Sequence, residues 1–145
     1  LVSMLAECGI ATVFLPHLEH TFLNGATFYD GSKIVLALTL RGADADKFWF
    51  SLFHELAHVI NGHIGRTAGT IEEEELTADV FARDTLIPPD AYAQFVAGSK
   101  TRSSVASFAN EIGIAPGLVV GRLQKDGYLP YSKLNSLKVR YQFTE

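Results

Sequence analysis

Cysteine is nearly absent from this chain, since Cys8 is the only one among 145 residues. A single cysteine excludes a disulfide within the chain and any zinc site built from several thiolates. Long apolar stretches are missing too, because the longest, residues 34–40, is far too short to cross a membrane. No basic segment precedes an apolar one, as a secretion signal would require. These absences predict a cytoplasmic protein that does not contact a membrane.

Basic residues are also scarce: 12 lysines and arginines stand against 16 aspartates and glutamates, which gives a net charge of −4. An extended basic surface is not expected, so we predict no direct nucleic-acid binding by this domain. Hydrophobic residues make up 48% of the chain and charged residues 19%, as in folded globular proteins and unlike disordered ones. The length suits one domain, and residues 1–145 are interpreted as a single domain.

Short apolar, β-prone runs occupy the first forty residues. Residues 10–15 form one run that ends at Pro16, and residues 27–40 hold Asp30-Gly31 between two others, which indicates a hairpin. The sequence therefore predicts a small antiparallel sheet in this region. Residues 1–10 are typical of the end of a longer helix, so the chain is interpreted as a fragment of a longer polypeptide.

From residue 41 onwards, apolar residues recur every three or four positions, as on one face of a helix. This spacing predicts a helix that ends at residues 61–62, with Asp44 or Asp46 as its cap. Its predicted buried face comprises Phe48, Leu52, Leu56, Val59 and Ile60.

Four further helices are predicted after this one. The first covers residues 71–86, the second opens at Pro88 or Pro89, and two more lie within residues 102–114 and 115–127. Ser103 or Ser104 is the expected cap of the third, and Gly113 and Gly127 are the expected stops. The predicted fold class is α+β: a small N-terminal antiparallel sheet packed on the helix that ends at residues 61–62, followed mostly by helices.

The stretch FHELAHVINGH, residues 53–63, places His54 and His58 four positions apart, with Glu55 directly after the first histidine. Residues four apart lie on one face of a helix, so both imidazoles can point at one ion. Neutral imidazole binds zinc, and a neighbouring carboxylate can take a proton from water that the metal activates. We therefore interpret His54 and His58 as zinc ligands and Glu55 as the general base.

A catalytic zinc needs a third protein ligand, which in the gluzincin arrangement is a glutamate of a second helix, with an aspartate four residues later that supports a ligand histidine. Residues 72–75 supply four consecutive glutamates. Only Glu75 is followed one helical turn later by a second carboxylate, Asp79. Like charges at that spacing repel unless a cation or a histidine N–H lies between them. Glu75 is therefore the predicted third ligand, and Asp79 is predicted to accept the ring N–H of His54. The other three glutamates are interpreted as a solvated acidic face.

Three more residues are candidates for polar roles. His63 follows His58 by five positions, whereas the metzincin pattern places its third histidine six positions after the second. Two roles remain open for His63: it could stabilise the oxyanion of the reaction, or it could cap carbonyls at the end of the helix. Tyr128 and Tyr131 are predicted mainly to pack against neighbours. None of the three is assigned a catalytic role.

The histidine motif at 54–58, together with ELTADVFARDTLIP at 75–88, resembles the ImmA/IrrE family of zinc metallopeptidases. Residues 41–58 and 115–130 are similar to the version found C-terminal to a helix-turn-helix domain in HigA-like antitoxin regulators. The resemblance covers most of the chain. It implies a zincin-like fold, one Zn²⁺, the ligand and base assignments given above, and a helix-turn-helix domain that precedes Leu1.

The resemblance also implies a function, because members of known activity cleave a DNA-binding repressor. We expect a zinc-dependent peptidase domain of a transcriptional regulator, acting on a peptide or protein substrate that lies extended along a sheet edge. Residues 33–40, KIVLALTL, are the candidate edge strand, with an interior strand as the alternative. A second hypothesis is a proteolytically silent, zinc-bound domain that senses a ligand or holds a toxin partner. A structural domain without metal is the third.

Overall fold

The described part of the chain, residues 1–16, 24–40, 44–65 and 69–142 of a computed structural model, is a short helix and a small sheet followed by further helices. This arrangement confirms the predicted α+β class. The elements in chain order are α1 (Val2–Glu7), β1 (Ile10–Leu15), β2 (Gly25–Asp30), β3 (Lys33–Thr39), α2 (Ala45–Ile60), α3 (Glu72–Leu86), α4 (Pro89–Val96), α5 (Arg102–Glu111) and α6 (Pro116–Lys125).

The sheet has the order β1-β3-β2. β2 and β3 form the predicted hairpin, with Gly31 at a φ of 61° in its turn, but β1 pairs with β3 in parallel, Ile10 opposite Ile34. The prediction of an antiparallel sheet is therefore wrong for β1, which lies on the far side of β3 instead of beside β2. The expectation that β3 is an edge is also wrong, and its interior alternative holds. Residues 17–23 of the predicted sheet lie outside the described residues.

α2 packs on this sheet and buries part of its predicted apolar face. Leu52 is fully buried in a cluster with Ile10, Leu36 and Leu38 of the strands. Phe48, Leu56 and Val59 pack around that cluster, whereas Ile60, at the last position of the helix, is exposed. The apolar pattern therefore identified the buried face of α2 except at its C-terminal end.

A second apolar cluster lies among the C-terminal helices. Its buried members are Ile87, Tyr92, Val105, Phe108, Ala109, Val119, Val120 and Leu123. Gly113 and Gly127 follow α5 and α6 at φ angles of 75° and 78°, which confirms them as helix stops. The predicted serine cap of α5 is wrong: the helix begins at Arg102, so Thr101 occupies the cap position, and its hydroxyl accepts the backbone N–H of Ser104.

Among the described residues, no single helix is long and apolar enough to span a membrane. Taken together, α5 and α6 have the length and apolar composition of a membrane span, but the two helices are bent against each other by 114°. Six of their apolar residues belong to the buried C-terminal cluster: Val105, Phe108, Ala109, Val119, Val120 and Leu123.

Candidate metal centre

The packing of α2 against α3 opens a cleft of about 500 Å³. α2 lines the cleft with His54, Glu55 and His58, and α3 adds Glu75 and Asp79. All five predicted site residues are thus brought to one place, although His54 of one helix and Glu75 of the other are 21 residues apart in sequence. The third wall is the start of β2, residues 25–27, which is an edge strand among the described strands.

Three side chains converge at the centre of the cleft. The Nε2 atoms of His54 and His58 lie 3.1 Å apart, and Glu75 places a carboxylate oxygen 3.2 Å from His54 Nε2 and another 3.5 Å from His58 Nε2. One ligand atom from each residue lies within 4.8 Å of the other two, so the group can hold a metal ion. Lone pairs that converge so closely repel one another unless a proton or a cation lies between them.

Asp79 determines the tautomer of His54. Its Oδ1 atom lies 2.9 Å from His54 Nδ1, and a carboxylate only accepts, so Nδ1 carries the proton. Nε2 of His54 is therefore the nitrogen with a free lone pair, and it faces His58 and Glu75. Arg83, the nearest basic residue along α3, pairs with Asp84 at 2.6 Å and not with Asp79. The contact expected from the sequence is thus present.

Glu55 is buried beside the converging group without being part of it. The Thr27 hydroxyl of β2 donates to its Oε2 atom at 2.6 Å. Burial raises the pKa of the Glu55 carboxyl, whereas the Thr27 hydrogen bond and the nearby His54 ring oppose that rise. A carboxyl with a raised pKa is better suited to accept and return a proton near neutral pH than an ordinary glutamate.

His63 contacts the second histidine of the motif. Its Nδ1 atom lies 3.4 Å from Nδ1 of His58, and its Nε2 atom lies 3.8 Å from Glu74 Oε1. Burial and the neighbouring His54 ring lower the pKa of His58, which favours the neutral ring that a metal binds. Glu74 is buried and accepts the backbone N–H of Ile71 at the start of α3. The prediction of a solvated Glu74 is therefore wrong, because its side chain turns back to cap the helix.

Two threonines, which sequence reasoning missed, contact the acidic residues of the site. Thr70 donates to Glu75 Oε1, and Thr27 donates to Glu55. Thr70 lies two residues before α3 begins, next to its N-cap residue Ile71, and this position is the local signal that could have identified it. Thr27 lies 28 residues before its partner, and no spacing rule connects the two. Tyr128 and Tyr131 do not line the cleft in the described part of the chain.

The sequence matches no model of a known protein family, and it matches no characterised protein. The function is therefore inferred from the geometry of the cleft and from the chemistry of the residues that line it.

Proposed function

We propose that this chain is a zinc-dependent peptidase domain with a zincin-like fold, of the kind that the ImmA/IrrE resemblance implies. The observation that carries the proposal is the convergence of His54, His58 and Glu75 beside a buried carboxylate, Glu55, in an open cleft. Two imidazoles and one carboxylate form the ligand set of catalytic zinc sites, which keep a fourth position for water or substrate.

The donor atoms fit Zn²⁺ on chemical grounds. His54 is held in the tautomer that frees Nε2, and burial lowers the pKa of the His58 ring, which favours its neutral form. Glu75 supplies a carboxylate, and the Thr70 hydroxyl donates a hydrogen bond to Oε1 of that carboxylate. When bound, zinc supplies a Lewis acid that polarises a carbonyl and lowers the pKa of water. Imidazole nitrogens favour zinc over the hard cations Mg²⁺ and Ca²⁺, which prefer oxygen ligands.

Glu55 performs the proton transfers in this proposal. Thr27 holds Oε2, so Oε1 remains to take a proton from the attacking water. The same oxygen then returns the proton to the leaving amine. The raised pKa of the Glu55 carboxyl brings it closer to the operating pH, which makes the return step easier than for an exposed glutamate.

The substrate of the proposed reaction is an extended peptide segment of a protein. β2 forms one wall of the cleft and is an edge of the described sheet, so a peptide can add to it as a further strand. β2 thus replaces β3 as the proposed substrate edge. Following the resemblance, the proposed protein substrate is a DNA-binding repressor.

The test compares zinc content and cleavage in three proteins: the wild type, Glu55→Gln and His54→Ala. We expect about one zinc per chain in the wild type and in Glu55→Gln, and well under half of that in His54→Ala, because His54 is a proposed ligand and Glu55 is not. Cleavage of a repressor encoded beside the gene, measured by mass spectrometry, should fall by at least about a thousandfold in Glu55→Gln.

Each contrary outcome removes a different part of the proposal. A wild-type protein that binds no zinc excludes the metal centre. A zinc-loaded wild type that cleaves neither the repressor nor a mixed peptide library favours the silent sensor or toxin-binding domain. Equal turnover in wild type and Glu55→Gln removes Glu55 from the mechanism.

A further inference from the structure

One face of β2 is built around the Glu55 side chain. Successive residues of a strand point to opposite sides, so Gly25 and Thr27 lie on the same face, and that face is turned towards α2. Both residues line the cleft, and both approach Glu55.

Thr27 holds one oxygen of the carboxylate. Its hydroxyl donates to Glu55 Oε2 at 2.6 Å, a short distance typical of hydrogen bonds to a charged acceptor. Threonine is β-branched, and its χ1 angle is restricted in a strand, so the direction of the hydroxyl is fixed by the backbone of β2. The position of β2 therefore determines where Oε2 of Glu55 lies.

Gly25 provides the space that Glu55 occupies. A Cβ atom at Gly25 would lie 2.7 Å from Glu55 Cγ and 3.0 Å from Oε1, closer than atoms in contact allow. The backbone of Gly25 is not in the left-handed region, unlike that of Gly31 in the adjoining turn. Glycine is thus required at this position because a larger residue would collide with Glu55, and not because of its backbone conformation.

We propose that Gly25 and Thr27 are positioning residues that fix Glu55 in one orientation before substrate arrives. Thr27 engages Oε2, and the gap at Gly25 accepts Cγ and Oε1, which leaves Oε1 as the proton-accepting oxygen. A free glutamate side chain has many rotamers, and fixing it in advance removes that entropy cost from the reaction. The inference rests on the proposed role of Glu55 as general base.

The first test replaces the hydroxyl alone. Thr27→Val should lower kcat roughly tenfold to a hundredfold, the usual effect of losing a supporting partner, with KM and zinc content unchanged. Thr27→Ser keeps the hydroxyl and should restore kcat to within about threefold of the wild type. Thr12→Val, on β1 and outside the cleft, is the matched control and should leave kcat unchanged. A loss in KM alone, or no rescue by serine, overturns the proposal.

The second test fills the gap. Gly25→Ala should lower kcat by a similar factor of roughly ten to a hundred, because the new methyl group displaces Glu55. Gly98→Ala is the control, since a Cβ there meets only Phe95 O at an ordinary 3.5 Å. Circular dichroism should show that both variants fold. Normal turnover in folded Gly25→Ala contradicts a requirement for this space.

A third measurement does not depend on catalysis and uses the metal-free protein. Thr27→Val should lower Tm by roughly 3–6 °C when Glu55 is present and by less than half of that in a Glu55→Ala background, because the partner is then gone. Equal losses in both backgrounds mean that Thr27 is merely structural and overturn the inference. This coupling is measurable even if no cleavage is found, so failure of the peptidase proposal and failure of the positioning proposal are separable.

Discussion

Glu75 and Asp79 carry the same charge one helical turn apart, and the His54 ring lies between them. Each of its two nitrogens meets one of the carboxylates, Nε2 at 3.2 Å from Glu75 and Nδ1 at 2.9 Å from Asp79. The N–H at Nδ1 offsets the charge of Asp79, and a cation between Nε2 and Glu75 would offset the other charge and so remove a repulsion that weakens α3. The two carboxylates have separate roles in the proposed site, one as ligand and one as support.

Asp79→Ala should weaken zinc binding by roughly tenfold to a hundredfold without changing the number of zinc ions bound, because Asp79 orients a ligand and is not one. Titration against a competing chelator measures the effect. Asp84→Ala is a suitable control, since Asp84 pairs with Arg83 on the same helix. Unaltered affinity in Asp79→Ala, or complete loss of zinc, contradicts the supporting role.

Five of the site residues could be predicted from the sequence because those on the same helix are separated by short, regular spacings. His54 with His58, and Glu75 with Asp79, are four apart on single helices, where one turn brings side chains together. Thr27 could not be found in this way. Its contact with Glu55 depends on how the sheet packs on α2, and no local pattern encodes that packing. His63 was noticed from its spacing to His58, but its ring lies beyond the end of α2, so helical periodicity did not place it.

Individual elements were easier to predict than their arrangement. Glycines, prolines and the acidic first turn of α3 determined where helices begin and end, because these residues act on the local backbone. Strand order was not predictable in the same way. Nothing local in the sequence of β1 indicates its partner or its direction, and long-range packing decides that it pairs in parallel with β3.

β1 contains a buried hydroxyl group without a hydrogen-bond partner among the described residues, that of Thr12. Thr12→Val replaces it with a methyl group of similar shape and should raise stability by about 1 kcal/mol, or Tm by roughly 2–4 °C. Thermal unfolding of the metal-free protein measures this change. The same substitution at Thr27 should have the opposite sign, and a lower Tm for Thr12→Val contradicts the assignment of an unsatisfied hydroxyl.

At the scale of the whole molecule, the candidate metal centre joins α2 to α3. His54 and His58 come from one helix and Glu75 from the other, and the unfolded chain does not hold them together. Metal binding is therefore linked to folding. The α+β class and the order of helices were predictable from the sequence, whereas the packing of α2 against α3 and α6 was not.

Zinc at about a hundredfold above its Kd should stabilise the wild type by about 2.7 kcal/mol and raise Tm by roughly 5–10 °C. A chelator should reverse the shift, and scanning calorimetry measures both. Glu75→Ala should lose most of the shift, while Glu73→Ala, on the exposed side of the same helix, should keep it. Equal shifts in the two variants contradict Glu75 as a ligand.

The outer edge of β2, which no other described strand pairs with, has a consequence for the proposed substrate. A peptide that adds to this edge must be extended over several residues, so a segment held in a helix or a buried strand has to leave its own fold first. The free energy of that local unfolding adds to the cost of binding, so the proposed reaction should be slow on well-folded segments. Under the proposed function, the rate of cleavage would therefore depend on the local stability of the substrate as well as on its sequence. A ligand that stabilises the substrate's fold would protect it, and loss of that ligand would expose the cleavage site.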